Sequence, residues 1–372
     1  MKIKAFGVEE WLNEYETKAN YDLAQSTVAS MTLEEIIGLD GTSVTDFFED
    51  LGKTKMNYGH IEGSPDFKEQ VAALYQNVDV DNILQTNGAT GANFLALYAL
   101  IEPGDHVISV LPTYQQLVDI PRSFGAKVDT VYLSQDSNWE LPLTELMALI
   151  RPNTKMICLN SANNPTGTLI NKTNLQKLVD FVRPFGTYIL VDEVYAPFDD
   201  ADNFVAIADI YDRGISTNSL SKSFSVPGIR IGWTATNKEL ADLFRKYRDY
   251  TLICCGIIDD ALAVHILKNK DKIKERNQKI VADNLKILEE WVAQEKRVNL
   301  VSPKMVSTSF IQLDIPISSK EFCLQLLEEE GVLLVPGEAY DMKGFARLGY
   351  CAQEPVLREG LKRISRLLAS YD

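Results

Sequence analysis

The residues best suited to chemistry lie in Ser219-Leu220-Ser221-Lys222-Ser223-Phe224-Ser225-Val226-Pro227-Gly228-Ile229-Arg230. Lys222 follows a short apolar run, stands between two serines, and has Arg230 eight positions on (230 − 222). A lysine attacks a carbonyl only when it deprotonates near neutral pH, and burial beside other cations lowers its pKa. Arginine keeps its charge and can hold a phosphate through two parallel hydrogen bonds. The stretch therefore reads as an imine-forming amine next to an anion site.

Other polar residues follow apolar runs in the same way. Asp192 ends Tyr188-Ile189-Leu190-Val191-Asp192, with Tyr195 three residues on. A carboxylate there is costly to bury unless paired. A protonated ring nitrogen would pair it; a helix cap or a metal would also use it. Asn160-Ser161-Ala162-Asn163-Asn164-Pro165-Thr166-Gly167 demands a turn, from which the Asn164 amide could reach a ligand oxygen. Asn87-Gly88-Ala89-Thr90-Gly91-Ala92 joins a strand to a helix, where free N–H groups could cradle a phosphate or serve only as a turn. Tyr114, in Pro112-Thr113-Tyr114, could stack on a flat ring or simply pack. Arg347, inside Phe345-Ala346-Arg347-Leu348-Gly349, needs an anion, either a substrate carboxylate or a structural acid.

The elements that must position these groups alternate. Residues 83–86, 106–110, 127–133, 155–159, 187–191, 215–219 and 231–235 are β-rich apolar runs. Helical stretches at 92–100, 114–124 and 174–182 separate several of them. Short apolar strands between helices indicate a mainly parallel sheet covered on both faces. Ligands bind such sheets at the carboxyl ends of strands, where these motifs fall. Thr32-Leu33-Glu34-Glu35 reads as a capping box and Ser64-Pro65 as a helix start leading into 66–76. Residues 255–294 read as one long helix, 305–313, 332–336 and 345–349 as strands, and 321–329 and 355–370 as helices. The expected division is a large domain over 46–270 and a small α+β domain from 1–45 and 271–372.

Composition limits the alternatives. The chain has 372 residues, 45% of them hydrophobic, and a net charge of 37 − 52 = −15. Nucleic acid and anionic membranes call for basic surface, so neither is expected as a partner. No apolar run reaches the ~18 residues that span a bilayer. Met1–Trp11 carries Glu9 and Glu10 and has no signal-peptide core. Cys158, Cys254, Cys255, Cys323 and Cys351 form no metal-binding spacing and fit free thiols in a reducing compartment. A cytoplasmic location and no metal are expected.

Taken in order, Gly-Ala-Thr-Gly, Pro-x-Tyr, Asn-Asn-Pro-Thr-Gly, Asp-x-x-Tyr, Ser-x-Ser-Lys with its arginine, and a C-terminal arginine resemble the class I/II aminotransferases. These are enzymes of fold type I that use pyridoxal 5'-phosphate (PLP). The resemblance runs from about Tyr58 to Arg347. It implies a large domain built on a seven-stranded, mainly parallel sheet between helices, plus a small α+β domain. It implies that Lys222 forms the Schiff base, with Asp192 on the pyridine nitrogen, Asn164 and Tyr195 on the ring oxygen and Tyr114 stacked on the ring. Ala89, Thr90, Ser219 and Arg230 match the phosphate grip, and Ser221 is a further cofactor-binding residue. Tyr58 resembles a tyrosine that reaches the phosphate of the other subunit in a homodimer. Arg347, with Asn164 and Gln25, would bind the substrate. The implied reaction moves an amino group from an L-amino acid to a 2-oxo acid, with ping-pong kinetics.

The chain departs from the family in one loop. Members often carry a glycine over the substrate, where this sequence has Asp22-Leu23-Ala24-Gln25-Ser26-Thr27. That stretch and the Val-Pro-Gly-Ile-Arg-Ile-Gly-Trp run at 226–233 are more loosely similar to capreomycidine synthase-like enzymes, which perform a cyclisation on the same scaffold. A PLP-dependent lyase, racemase or cyclase therefore stands as the alternative. A PLP-binding regulatory module would carry a basic DNA-binding extension, and none is visible.

Overall fold

Seven strands form the central sheet: β1 (Ile83–Asn87), β2 (His106–Leu111), β3 (Lys127–Tyr132), β4 (Thr154–Asn160), β5 (Tyr188–Asp192), β6 (Gly214–Ser219) and β7 (Ile231–Ala235). Their order across the sheet is β1-β7-β6-β5-β4-β2-β3. The strands from β6 to β3 are parallel to their neighbours, whereas β7 runs antiparallel to both β1 and β6. The structure is a computed structural model that describes residues 2–196 and 203–371. The expected fold class holds: the sheet is mainly parallel and carries apolar side chains on both faces.

Alternate residues of one strand serve opposite layers. Ile157 and Ile189 join a cluster with Leu175 and Leu178 of the helix Lys172–Val182. Cys158 and Leu190 face the other way, toward Leu95 and Ala96. Burying a leucine or isoleucine side chain contributes about 1.5–3 kcal/mol, so a one-residue register slip would exchange two apolar layers. The register is therefore strongly held, and with it the position of every strand end.

The C-terminal part forms a four-stranded antiparallel sheet that includes β8 (Ser309–Leu313) and β9 (Phe345–Leu348). The N-terminal segment adds to this part. Tyr21–Asp22 pairs in parallel with Val332–Leu333, and helix α1 (Gly7–Tyr15) is tied by the Trp11 indole, which donates to the Leu334 carbonyl at 2.8 Å. Met31 and Ile36 instead pack with Phe67, Trp233 and Ile266. The capping box at Thr32 and the Ser64 cap both form as expected.

Several boundaries differ from the sequence reading. Residues 255–294 contain two helices, Ile257–Lys268 and Lys270–Val292. Between them Asn269 leaves helical geometry and donates its side-chain amide to the His265 carbonyl at 3.0 Å. The strand expected at 305–313 begins only at Ser309, after Met305 adopts a positive φ of 56°. The helix expected over 66–76 ends at Ala72. Among the described residues, no helix is long and apolar enough to cross a membrane.

The loop 22–27 is seated by an unusually close approach. The Gly349 N–H donates to the Leu23 carbonyl at 2.8 Å, and a Cβ on Gly349 would lie 1.5 Å from the Gln25 carbonyl oxygen. Gly349→Ala is expected to push this loop away and cost at least about 1–3 kcal/mol of stability, read from urea unfolding midpoints. An unchanged midpoint would show that the loop yields freely.

Candidate active site

A cavity of about 670 Å³ opens at the carboxyl ends of the central strands. Ala89, Thr90, Tyr114, Asn164, Asp192, Tyr195, Ser219, Ser221, Lys222, Arg230, Arg347 and Gln25 all line it. The fold thus gathers residues that are up to 347 − 25 = 322 positions apart. Tyr58 is the exception. It is 80% exposed and does not line this cavity.

Lys222 emerges from the loop after β6 and is partly buried. Its Nζ donates to the Ser26 hydroxyl at 2.9 Å and to the Thr27 hydroxyl at 3.3 Å. Burial, then the nearby Arg347 charge, lower its pKa to about 8; Arg230 adds to the lowering, while Glu9 and Asp192 oppose it. The amine is thus easier to deprotonate than an exposed lysine. Ser26 also accepts from the Tyr195 hydroxyl at 2.8 Å, so one hydroxyl joins the two.

Asp192 ends β5 and is 2% exposed. One carboxylate oxygen accepts from the Asn93 side-chain amide at 2.7 Å, and the other from the Val194 N–H at 3.1 Å. Thr217 in turn donates to Asn93 Oδ1 at 2.6 Å. Burial raises the Asp192 pKa despite these bonds. A carboxylate in that position gains most from a cationic partner.

Arg347 comes from β9 and is 2% exposed. It donates to the Asn164 side-chain oxygen at 3.1 Å, to the Tyr340 hydroxyl at 2.7 Å and to the Ala24 carbonyl at 2.6 Å. Its Nε is buried without a partner. Tyr340 donates to the same Asn164 oxygen at 3.0 Å. With its oxygen so occupied, Asn164 has its amide N–H groups left for the cavity.

The anion cradle combines two close approaches. Helix α2 (Gly88–Leu100) starts at the cavity. A Cβ on Gly88 would sit 2.7 Å from an Arg230 side-chain nitrogen, and one on Gly232 would sit 2.3 Å from the Gly88 backbone. Only glycines let β7, the helix start and Arg230 meet so closely. The helix N-terminus and the guanidinium both favour negative charge there. A phosphate fits this cradle, an aromatic ring fits beside Tyr114, and a cationic ring nitrogen fits Asp192. The residues present therefore suit PLP.

Four contributors escaped the sequence reading. Asn93 is a polar residue inside an apolar helix, which could have marked it. Ser26 and Thr27 were visible only as part of a departure from the family pattern. Tyr340 left no signal, because its bond to Asn164 joins distant parts of the chain.

The family model for "Aminotransferase class I and II" matches residues 19–364. An aspartate aminotransferase of Thermotoga maritima is 30% identical over 333 residues, covering 86% of this chain and 85% of its own. A capreomycidine synthase of Streptomyces vinaceus is 26% identical over 371 residues, covering 99% of this chain and 95% of its own. The crystal structure of a PLP-dependent aminotransferase from Streptococcus suis superposes with a TM-score of 0.98 at 50% identity, covering 100% of this chain and 99% of that one. The chain belongs to the class I and II aminotransferases, a PLP-dependent enzyme family, and pyridoxal 5'-phosphate is its cofactor.

Proposed function

We propose that the enzyme moves the amino group of an L-amino acid to a 2-oxo acid in two half-reactions at one site, the first product leaving before the second substrate enters. The observation that carries this reading is the convergence of Lys222, Asp192 and Arg347 on one cavity. PLP, when bound, supplies an electrophilic carbon for the amino group and a ring that takes up electrons as the substrate Cα–H bond breaks.

The protein's own residues do the rest. Ala89, Thr90, Ser219, Ser221 and Arg230 would hold the phosphate in the cradle at the α2 start. Asp192, oriented by Asn93, would keep a proton on the ring nitrogen. Asn164, and Tyr195 once its hydroxyl turns from Ser26, would donate to the ring oxygen, and Tyr114 would cover the ring face. Arg347 takes the substrate α-carboxylate, beside Asn164 and Gln25. Lys222 Nζ removes the Cα proton and returns it, as general base and then acid. Ser26 and Thr27 accept N–H bonds from Lys222 and hold its nitrogen between the two transfers.

The same reading makes the protein a homodimer in which exposed Tyr58 reaches the neighbouring subunit's phosphate. Residues 46–270 would form its large domain and 1–45 with 271–372 its small one, with Met31 and Ile36 of the N-terminal segment packing on Phe67, Trp233 and Ile266 of the large domain. All five cysteines are free, which supports a cytoplasmic setting.

A second reading, a PLP-dependent lyase or cyclase, is supported by the nearly full-length similarity to a capreomycidine synthase. An amino acid alone should change the visible spectrum of the bound cofactor, and a 2-oxo acid should restore it. Ammonia or a cyclised product, with no response to 2-oxo acids, would instead establish the second reading.

Two substitutions test the residue roles. Lys222→Ala should abolish the visible absorption band of the lysine-bound cofactor, and an unchanged spectrum would contradict the assignment. Arg347→Ala should weaken amino-acid binding by roughly 2–5 kcal/mol in a spectral titration. Unaltered affinity would leave Arg347 only the structural task of holding Ala24 and Asn164.

A further inference from the structure

A second cavity, of about 320 Å³, is walled by the same backbone as the first. Three pairs of consecutive residues are divided between the two. Asp192, Ser219 and Lys222 line the candidate active site, whereas Glu193, Asn218 and Ser223 line the second cavity. Successive side chains along a strand point to opposite faces of its sheet, so one stretch of chain serves both. The volume lies at the lower end of the range for small-molecule sites.

The wall of this cavity holds a carboxyl group that the mechanism does not use. Glu193 is 1% exposed. Its Oε1 accepts from the Ile207 N–H at 2.9 Å and from the Ser216 hydroxyl at 2.8 Å. Its Oε2 has no partner among the described residues and keeps some accessible surface. Burial pushes the carboxyl up to about 8, helped by the charges of Asp209 and Asp192 and opposed by the Ile207 and Ser216 bonds. Glu193 is therefore mostly protonated at neutral pH. Because Oε1 already accepts twice, the proton belongs on Oε2, where it is free to be donated.

The mouth is cationic. Lys270 is half-buried and Lys274 exposed, one turn apart on the helix Lys270–Val292, so they share a face. Both line the cavity, and neither has a carboxylate partner among the described residues. Asp271 lines it too. Two lysines against one aspartate leave a single positive charge, which suits one carboxylate better than a dianion. Leu74, Tyr75 and Phe224 add apolar and aromatic surface.

We infer that the second cavity is a regulatory site for a small organic monocarboxylate, its charge held by Lys270 and Lys274, its apolar body by Leu74, Tyr75 and Phe224, and an oxygen at its far end by Glu193. The occupant acts on the active site through shared backbone. Glu193 follows Asp192 by one peptide bond, and Ser223 follows Lys222 in the same way. The Ser223 hydroxyl donates to the Ala196 carbonyl at 3.1 Å. Asn277, on the helix that carries the two lysines, donates its side-chain amide to the Ser223 carbonyl at 2.9 Å. An anion seated on that helix thus bears on the loop of Lys222.

The test is calorimetric titration of the cofactor-loaded enzyme with 3-(4-hydroxyphenyl)propanoate, which has no amino or keto group to exchange. Arg347→Ala removes capture of its carboxylate in the first cavity, and binding should persist in that variant. Adding Lys270→Gln and Lys274→Gln should weaken it about tenfold or more, the loss of one charge-assisted contact. The same loss is expected with Arg347 in place, which keeps the test valid if the arginine variant does not fold. The uncharged 3-(4-hydroxyphenyl)propanamide, and 3-phenylpropanoate without the hydroxyl, should each bind more weakly. Glu193→Gln keeps a donor in place and should change the affinity by less than about twofold. Binding should also change the visible absorption of the bound cofactor, the sign of coupling between the sites. Affinity untouched by the two lysine substitutions, or lost in Glu193→Gln, would overturn the site. Binding that leaves the cofactor spectrum unmoved would overturn its control of the active site. None of these readouts requires amino-group transfer, so they stand apart from the reaction proposed above.

Discussion

The site depends on the desolvation of one amine. Lys222 loses water to burial and faces the charge of Arg347, and together these bring its pKa down to about 8. Neither effect is local in sequence. The loop 22–27 packs on the amine through Ser26 and Thr27, and the arginine comes from a strand more than 100 positions later. Ser26 and Thr27 give the amine hydrogen bonds without a negative charge, so they hold it without stabilising its protonated form as a carboxylate would. The departure from the family's loop glycine thus puts hydroxyls on the lysine.

The fold makes this arrangement rigid by giving alternate residues of the central strands to two apolar layers. Asp192 is the last residue of β5, and Lys222 stands just past β6, the strand paired with it. Positions at adjacent strand ends are fixed by register, and the register is fixed by apolar burial. The C-terminal sheet contributes Arg347 and seats the 22–27 loop, while α1 is tied to both parts of the chain across the cavity. Charge placement is then a consequence of packing: carboxyl at β5, amine after β6, and cations at the cradle and anchor.

Much of this was legible in the sequence because polar residues at the ends of apolar runs are costly unless used. Asp192, Lys222, Asn164 and Arg347 all announced themselves in that way, and all four line one cavity. The strands were legible for the same reason, since short apolar runs between helices admit few architectures. Tyr340 and the pairing of Asn93 with Asp192 were not legible, because each matters only through a partner distant in sequence. The break at Asn269 was missed because a side-chain bond to the backbone, not a change in apolar period, ends that helix. Tyr58 lies outside the cavity of its own chain, so its expected role concerns a second subunit.

The most direct measurement is the pH dependence of Lys222 alkylation in cofactor-free enzyme, followed by peptide mass spectrometry. Because only the neutral amine reacts, the rate should rise with pH and level off through a midpoint of about 8. A midpoint near the ordinary lysine value of about 10.4 would contradict the account, since the amine would then be a solvated cation and not the desolvated base on which the site depends.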